Sequence, residues 1–274
     1  MITKDIKEHN GMCLAFIGRD MVLRDDGGTI DFTDIRKLQA AMPCDELFAE
    51  PEYGICALGI QSKDAEGRDA AEMLPAGYAI QPIRMYNAGQ TEETATRVSR
   101  AKGLLEWLRN TRYCSCCGAP LRPHSTQTAL ECPDCGKLTF PRIEPCVIVL
   151  VRRGDKMLLA KHRQRNQDIY ACIAGFMEAG ETAEQTVKRE IMEETGLTVK
   201  NVRYFGSQSW PFPSQLMIAF TADYESGEIR IQESEIQHAA WFAKDECPTT
   251  PKPGSIAYRL IESFGQDGQS SITD

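Results

Sequence analysis

Residues 175 to 197 read GFMEAGETAEQTVKREIMEETGL, and they crowd Glu190, Glu193 and Glu194 into little more than one helical turn. Thr182 followed by Gln185 matches a capping box, so a helix is predicted to begin there. At about 100° per residue, Glu190 and Glu194 lie within roughly 40° of each other, with Glu193 at their side. Ala183, Val187 and Ile191 form an adjoining apolar stripe, the mark of a helix half buried against a sheet. Like charges at this spacing repel by a few tenths of a kcal/mol per pair, and burying unpaired charge costs more. A fully solvated helix face would relieve the repulsion. So would a hard divalent cation, Mg2+ or Mn2+, held by carboxylate oxygens.

A second cluster lies upstream in YCSCCGAPLRPHSTQTALECPDCGKLTF, where Cys114-x-x-Cys117 and Cys132-x-x-Cys135 each aim two sulfurs at one point. Together they supply a tetrahedral Zn2+ site, and the glycines after Cys117 and Cys135 suit tight knuckles. A redox pair or an iron–sulfur site is the alternative. Cys116 is left over, and His124 is not needed by a closed four-sulfur site. Such a site does no chemistry, so its metal is expected to hold a short segment folded.

The chain has 11 cysteines in 274 residues, and its start, MITKDIKEHNG, lacks the apolar stretch of a signal peptide. Reduced thiols in a cytoplasm are expected, with Cys13, Cys44, Cys56, Cys146, Cys172 and Cys247 acting as small hydrophobes. No run approaches the roughly 18 apolar residues of a membrane span. The net charge of −8 argues against tracking along DNA or RNA, though a cation can still bridge to a small phosphate ligand.

The stretch 1–90, with apolar runs GMCLAFIG, YGICALGI and GYAIQPIRMY, reads as a small α+β or mostly β domain without a chemical motif. A linking helix is predicted over 91–112, from Val98, Ala101, Leu105 and Leu108, despite Gly103. The cysteine module follows over 113–140. An α/β domain over 141–264 then has strands in CVIVLVRR, KMLLAKHR, VRYFGSQSW and LMIAFTADY, and a final helix near SIAYRLIESF. Residues 265–274 read as a tail.

The spacing Gly175, Glu181, Arg189-Glu190, Glu193-Glu194, Gly196 resembles the Nudix box at every defined position. That resemblance implies an α/β/α sandwich with a mixed sheet, hydrolysing a diphosphate linked to another moiety. It implies that Glu190, Glu193 and Glu194 carry divalent cations, with Glu193 or Glu194 able to deprotonate the attacking water. Glu181 and Arg189 would brace loop and helix through an ion pair. Metals clustered on a diphosphate neutralise its oxygens and lower the pKa of bound water.

Downstream, SQSWPFPSQLM (207–217) reads as a rigid loop, with two prolines around an aromatic, and Trp210 and Phe212 offer flat faces to a base. With the cysteine module, it resembles the NADH pyrophosphatase (NAD-capped RNA hydrolase) family, whose signature is SQPWPFPxS. The likeness covers roughly 98–264. Ser209 stands where the family has proline, Gln215 where it has serine (Ser214 precedes it), and Phe140 where tyrosine is usual. The resemblance implies a further metal ligand at Glu235 and ring stacking by Phe140 and Phe176. It implies a nucleotide pocket lined by Gln208, Ser209, Trp210, Pro211, Phe212, Pro213, Ser214 and Gln215. Ala174 and Ala257 would add backbone contacts, Ala174 toward the metal. A homodimer is implied as well. The activity so implied is Mg2+- or Mn2+-dependent cleavage of NAD(H) to AMP and nicotinamide mononucleotide, and by the same cut removal of an NAD cap from RNA. A Nudix hydrolase of ADP-ribose, and an RNA-binding zinc-ribbon protein with vestigial hydrolysis, are the alternatives.

Overall fold

In the computed structural model, which describes residues 1–163 and 168–265, the chain divides into two units. The first is Met1–Ile143 together with Pro211–Ser214, and the second Glu144–Trp210 with Gln215 onward. Of the expected tail, 266–274 lie outside the described residues. Among the described residues no helix is long and apolar enough to cross a membrane.

Strand β1 (Met12–Ile17) is a continuous apolar run because both its faces are covered. Leu14 and Phe16 enter one core, and Cys13, Ala15 and Ile17 another. Hairpin partner β2 (Asp20–Arg24) follows, then helix α1 (Phe32–Ala41), strands β3 (Cys44–Glu50), β4 (Ile55–Ile60) and β5 (Tyr78–Pro82), and helices α2 (Ile83–Ala88) and α3 (Glu92–Asn110). The five strands run β3-β4-β1-β2-β5, with β1 and β4 parallel and the other pairs antiparallel. Helix α1 contributes Ile35 and Leu38 to the second of those cores. Helix α3, capped by Thr91, contributes Val98, Ala101, Leu104, Leu105, Trp107 and Leu108 to the first. Gly103 meets open space, so nothing in the packing requires glycine there, and the contacts of the α3 face hold the helix despite it.

Short strands β6 (Arg122–Pro123), β7 (Leu130–Glu131) and β8 (Leu138–Thr139) form the small sheet of the cysteine module. Leu130 is buried in the α3 core and Leu121 packs against it. The helix expected as a linker and the module expected as separate therefore share one core with the N-terminal sheet.

The second unit holds β9 (Glu144–Arg153), β10 (Lys156–His162), β11 (Ile173–Phe176), α4 (Ala183–Thr195), β12 (Thr198–Trp210), β13 (Gln215–Ser226), β14 (Ile236–Ala243) and α5 (Ile256–Glu262). Its sheet runs β12-β13-β9-β10-β14, with β11 on β9, and only β13 and β9 among these pairs are parallel. Val187 and Ile191 of α4 pack with Val147, Val149 and Ile173 on one face. Ile256 and Leu260 of α5 pack with Ile148, Leu150 and Ala219 on the other. This is the expected α/β/α sandwich with a mixed sheet. Two expectations overlapped here: the strands expected in VRYFGSQSW and LMIAFTADY are present as the paired ends of β12 and β13, and the loop expected over 207–217 is confined to Pro211–Ser214. Ladder pairing from Gln208↔Met217 to Trp210↔Gln215 overrides the turn chemistry of Ser and Pro.

Candidate active site

Helix α4 begins at Thr182, whose hydroxyl accepts from the Gln185 amide at 3.3 Å while the Gln185 side chain accepts from the Thr182 amide at 2.8 Å. It ends at Gly196, whose φ of 70° suits a left-handed cap. The inner face of this helix buries Val187 and Ile191, and with them Glu190 and Glu194, the latter only 2% exposed.

Glu190 is seated on Gly175. A Cβ at position 175 would lie 1.9 Å from the Glu190 carboxyl carbon, so any side chain there would displace that carboxylate. Arg189 spends all five of its N–H donors around this point. Nε and Nη2 reach the two oxygens of Glu181 at 2.7 and 2.9 Å, and Nη2 also donates to the Phe176 carbonyl at 2.9 Å. Nη1 donates to Glu190 at 2.7 Å and Glu193 at 3.0 Å. Glu181 accepts further bonds from the Glu178 amide at 3.0 Å and the Thr186 hydroxyl at 2.8 Å. Arg189, and then the Glu178 N–H, hold the Glu181 carboxyl down to about 2. The brace expected of Glu181 and Arg189 is thus formed, with Thr186 and two backbone groups that no motif announced.

Burial pushes the Glu190 carboxyl up, Arg189 partly offsets this, and the charges of Glu193 and Glu235 add to the rise. Glu235, 45 positions along from Glu190 in the sequence, is therefore within electrostatic reach of it. On the β9 side the Cys146 thiol is pushed up to about 12, first by burial and then by Glu190 and Glu194. One guanidinium thus serves three carboxylates, while Glu194 and Glu235 add to the same negative field. Carboxylate oxygens are the donor type that hard divalent cations take; among the described residues only the cysteine set brings its ligand atoms within 4.8 Å of one another.

The remaining expected residues fall in different places. Ala174 and Ala257 both pack on the α5 core. Phe176 is 50% exposed at the end of β11. Trp210 pairs with Gln215, and Ser209 with Leu216. Gln208 has its side-chain amide on backbone: Nε2 donates to the Gly254 carbonyl at 3.0 Å, and Oε1 accepts from the Ile256 amide at 2.7 Å. Phe140 and Pro211–Ser214 belong to the first unit. There Phe140 is exposed, while Phe212 packs against the α3 core with the Arg19 guanidinium 5.6 Å from its ring centre.

The four sulfurs of Cys114, Cys117, Cys132 and Cys135 lie within 4.8 Å of one another. Cys114–Cys135, Cys117–Cys132 and Cys117–Cys135 separations are 3.6, 3.3 and 3.7 Å. Zn–S bonds of about 2.3 Å put tetrahedral sulfurs roughly 3.8 Å apart, so the set fits zinc. The two knuckles are alike. Gly118 donates to the Cys114 carbonyl and Gly136 to the Cys132 carbonyl, with φ of 79° and 71°. Backbone N–H groups of Cys116 and Cys117 bring the Cys114 thiol down to about 6, toward the thiolate a metal needs. Cys116 and His124 stand outside the cluster.

Residues 142–262 match the family model described as NUDIX domain. Over 163 residues the chain is 47% identical to proteins named NAD-capped RNA hydrolase NudC from Citrobacter koseri and Salmonella heidelberg, and 48% identical to the one from Enterobacter sp.. Each match covers 60% of this chain and 63% of the relative, less than two thirds of its length. A solved NUDIX hydrolase from Nitrosomonas europaea is 25% identical, with a TM-score of 0.50 over 58% of this chain and 94% of that one.

Proposed function

We propose that this chain acts as a Nudix hydrolase of the NADH pyrophosphatase (NAD-capped RNA hydrolase) kind, hydrolysing the diphosphate of NAD(H). The products are AMP and nicotinamide mononucleotide, reduced when NADH is the substrate, and the same cut removes an NAD cap from RNA to leave a 5′-monophosphate. The observation that carries the reading is Glu190, buried on the bare Cα of Gly175, with the charges of Glu193 and Glu235 acting on it and Glu194 acting beside it on Cys146.

In this reading Glu190, Glu193, Glu194 and Glu235 hold Mg2+ or Mn2+, which when bound neutralises the diphosphate and acidifies its attacking water. Arg189 and Glu181 fix the angle at which α4 presents its carboxylates. Glu194, at 2% exposure, is our choice as the base that takes the proton from water, since a buried carboxylate is held in one geometry and exchanges little with solvent. Phe176 offers half its ring to a base or nicotinamide. Zinc on the four cysteines is assigned a structural role. A cytoplasmic homodimer is the expected working form.

Product analysis with NADH, NAD-capped RNA and ADP-ribose, under Mg2+ and Mn2+, tests the proposal. Wild type is expected to release AMP and reduced nicotinamide mononucleotide from NADH, and Glu194→Gln to lose that turnover. Turnover of ADP-ribose alone would replace NAD(H) as the substrate.

A further inference from the structure

Four side chains on neighbouring strands stand in one row across the α5 face of the second unit. Gln208 is opposite Met217, Met217 is beside Cys146, and Cys146 is opposite Phe176. The next row, Gly206, Ala219, Ile148 and Ala174, is built the same way, and α5 covers it: a Cβ on Gly206 would lie 3.9 Å from the Ile256 side chain. With strand spacings of about 4.8 Å, Gln208 and Phe176 stand roughly 14 Å apart at the two ends of their row. Between them stand Met217, partly buried against the α5 core, and the buried Cys146. Phe176 closes one end with a half-exposed ring.

The other end is closed by backbone. Gly254 has φ of 92°, and Ser255 caps α5 by accepting from the Tyr258 amide at 3.2 Å and donating to the Lys252 carbonyl at 3.3 Å. These bonds hold the turn from within. Gln208 holds it from the sheet, bridging Gly254 and Ile256 with the two ends of one amide.

We propose that Gln208 is a positioning residue: it pins the Gly254–Ile256 backbone at the end of the row that leads to Phe176, and so sets the place that takes a nucleotide ring, without bonding the nucleotide itself. The inference rests on the NAD(H) reading of the site. Its physical content is preorganisation. A turn that must be ordered at each binding event lowers affinity, while the chemistry is left alone because the glutamates sit on α4, packed on the opposite face of the sheet.

Gln208→Met keeps the side-chain volume and removes both bonds. Amide exchange at Ile256 in the ligand-free protein, and KM and kcat for NADH, are the readouts. Exchange at Ile256 is expected to accelerate, and KM to rise about tenfold with kcat changed less than about threefold, the pattern of lost uniform binding. A raised KM with unchanged Ile256 exchange would mean that Gln208 bonds the nucleotide directly, and faster exchange with unchanged KM that the turn does not set the ring's place; either overturns the proposal. Failure of the underlying reading is distinct, because wild type itself would then leave NADH intact.

Discussion

The carboxylate of Glu50, at the end of β3, takes two hydrogen bonds of 2.6 Å from the guanidinium of Arg100 on α3. Thr128, in the cysteine module, donates a third to the same carboxylate at 2.7 Å, and Tyr53 lies under the guanidinium at 3.9 Å. Three segments of the first unit therefore meet on one fully buried charge. Arg100→Met leaves that charge unpaired, and a loss of about 3 kcal/mol is expected, the lower end for a broken buried pair because Arg100 is 28% exposed. Denaturant unfolding of the variant against wild type measures it. A loss below about 1 kcal/mol, the range of a surface pair, would show that Glu50 is not held as described.

The same carboxylate gives the first unit an acid-side dependence. Burial pushes Glu50 up, but the bonds from Arg100 and Thr128, with the Arg100 charge, more than offset it, so its pKa is lowered on folding. A lowered folded value contributes stability that is present above the unfolded pKa of about 4.3 and is lost as pH falls through the folded value. Stability measured from pH 6 downward is expected to fall less steeply in Glu50→Gln than in wild type. Parallel curves would assign the acid loss to other groups.

Zinc removal is expected to reach beyond the cysteine module. Leu130 is buried in the core formed by α3 and the N-terminal sheet, and Thr128 is on Glu50, so unravelling of the knuckles removes contacts from both. Chelation followed by hydrogen exchange is expected to deprotect β3 and α3 along with 113–140. Deprotection confined to 113–140 would show that the module is thermodynamically independent.

What the sequence made legible was local. The capping box at Thr182 and the stripe through Val187 and Ile191 lie within a few residues of one another, and α4 begins where they place it. The knuckle glycines are likewise within a few residues of the cysteines they serve. Glu50, Arg100 and Thr128 are 50 and 78 positions apart, so nothing local announces their meeting. Ser207–Trp210 reads both as the end of a strand and as the start of a loop, and pairing with Gln215–Ile218 decides for strand. In the N-terminal sheet, burial of β1 on both faces erases the alternation by which a strand is usually read.

Gly175 is constrained by space. Gly175→Ala puts a Cβ 1.9 Å from the Glu190 carboxyl carbon, so the carboxylate must move. On the role proposed for Glu190, a displacement of this size is expected to lower kcat by about a hundredfold while the fold persists. Turnover of NADH alongside a circular dichroism melt checks both parts. Retained kcat would show that the position of Glu190 does not matter to the reaction.

Arg189 is constrained by donors. Its five N–H groups meet Glu181, Glu190, Glu193 and the Phe176 carbonyl, whereas a lysine offers at most three donors from one point. Arg189→Lys keeps the charge and loses the fork, so Glu190 and Glu193 are no longer held together with Glu181. Groups that orient metal ligands typically cost 10–100-fold in metal affinity when changed, and a rise of about that size in the Mg2+ concentration needed for half-maximal turnover is expected. Titration of Mg2+ at saturating NADH separates this from a loss of substrate binding. If the half-maximal Mg2+ concentration stays where it is and only kcat falls, Arg189 acts on the reacting diphosphate and not on the carboxylates, and the brace would have to be reassigned as a substrate contact.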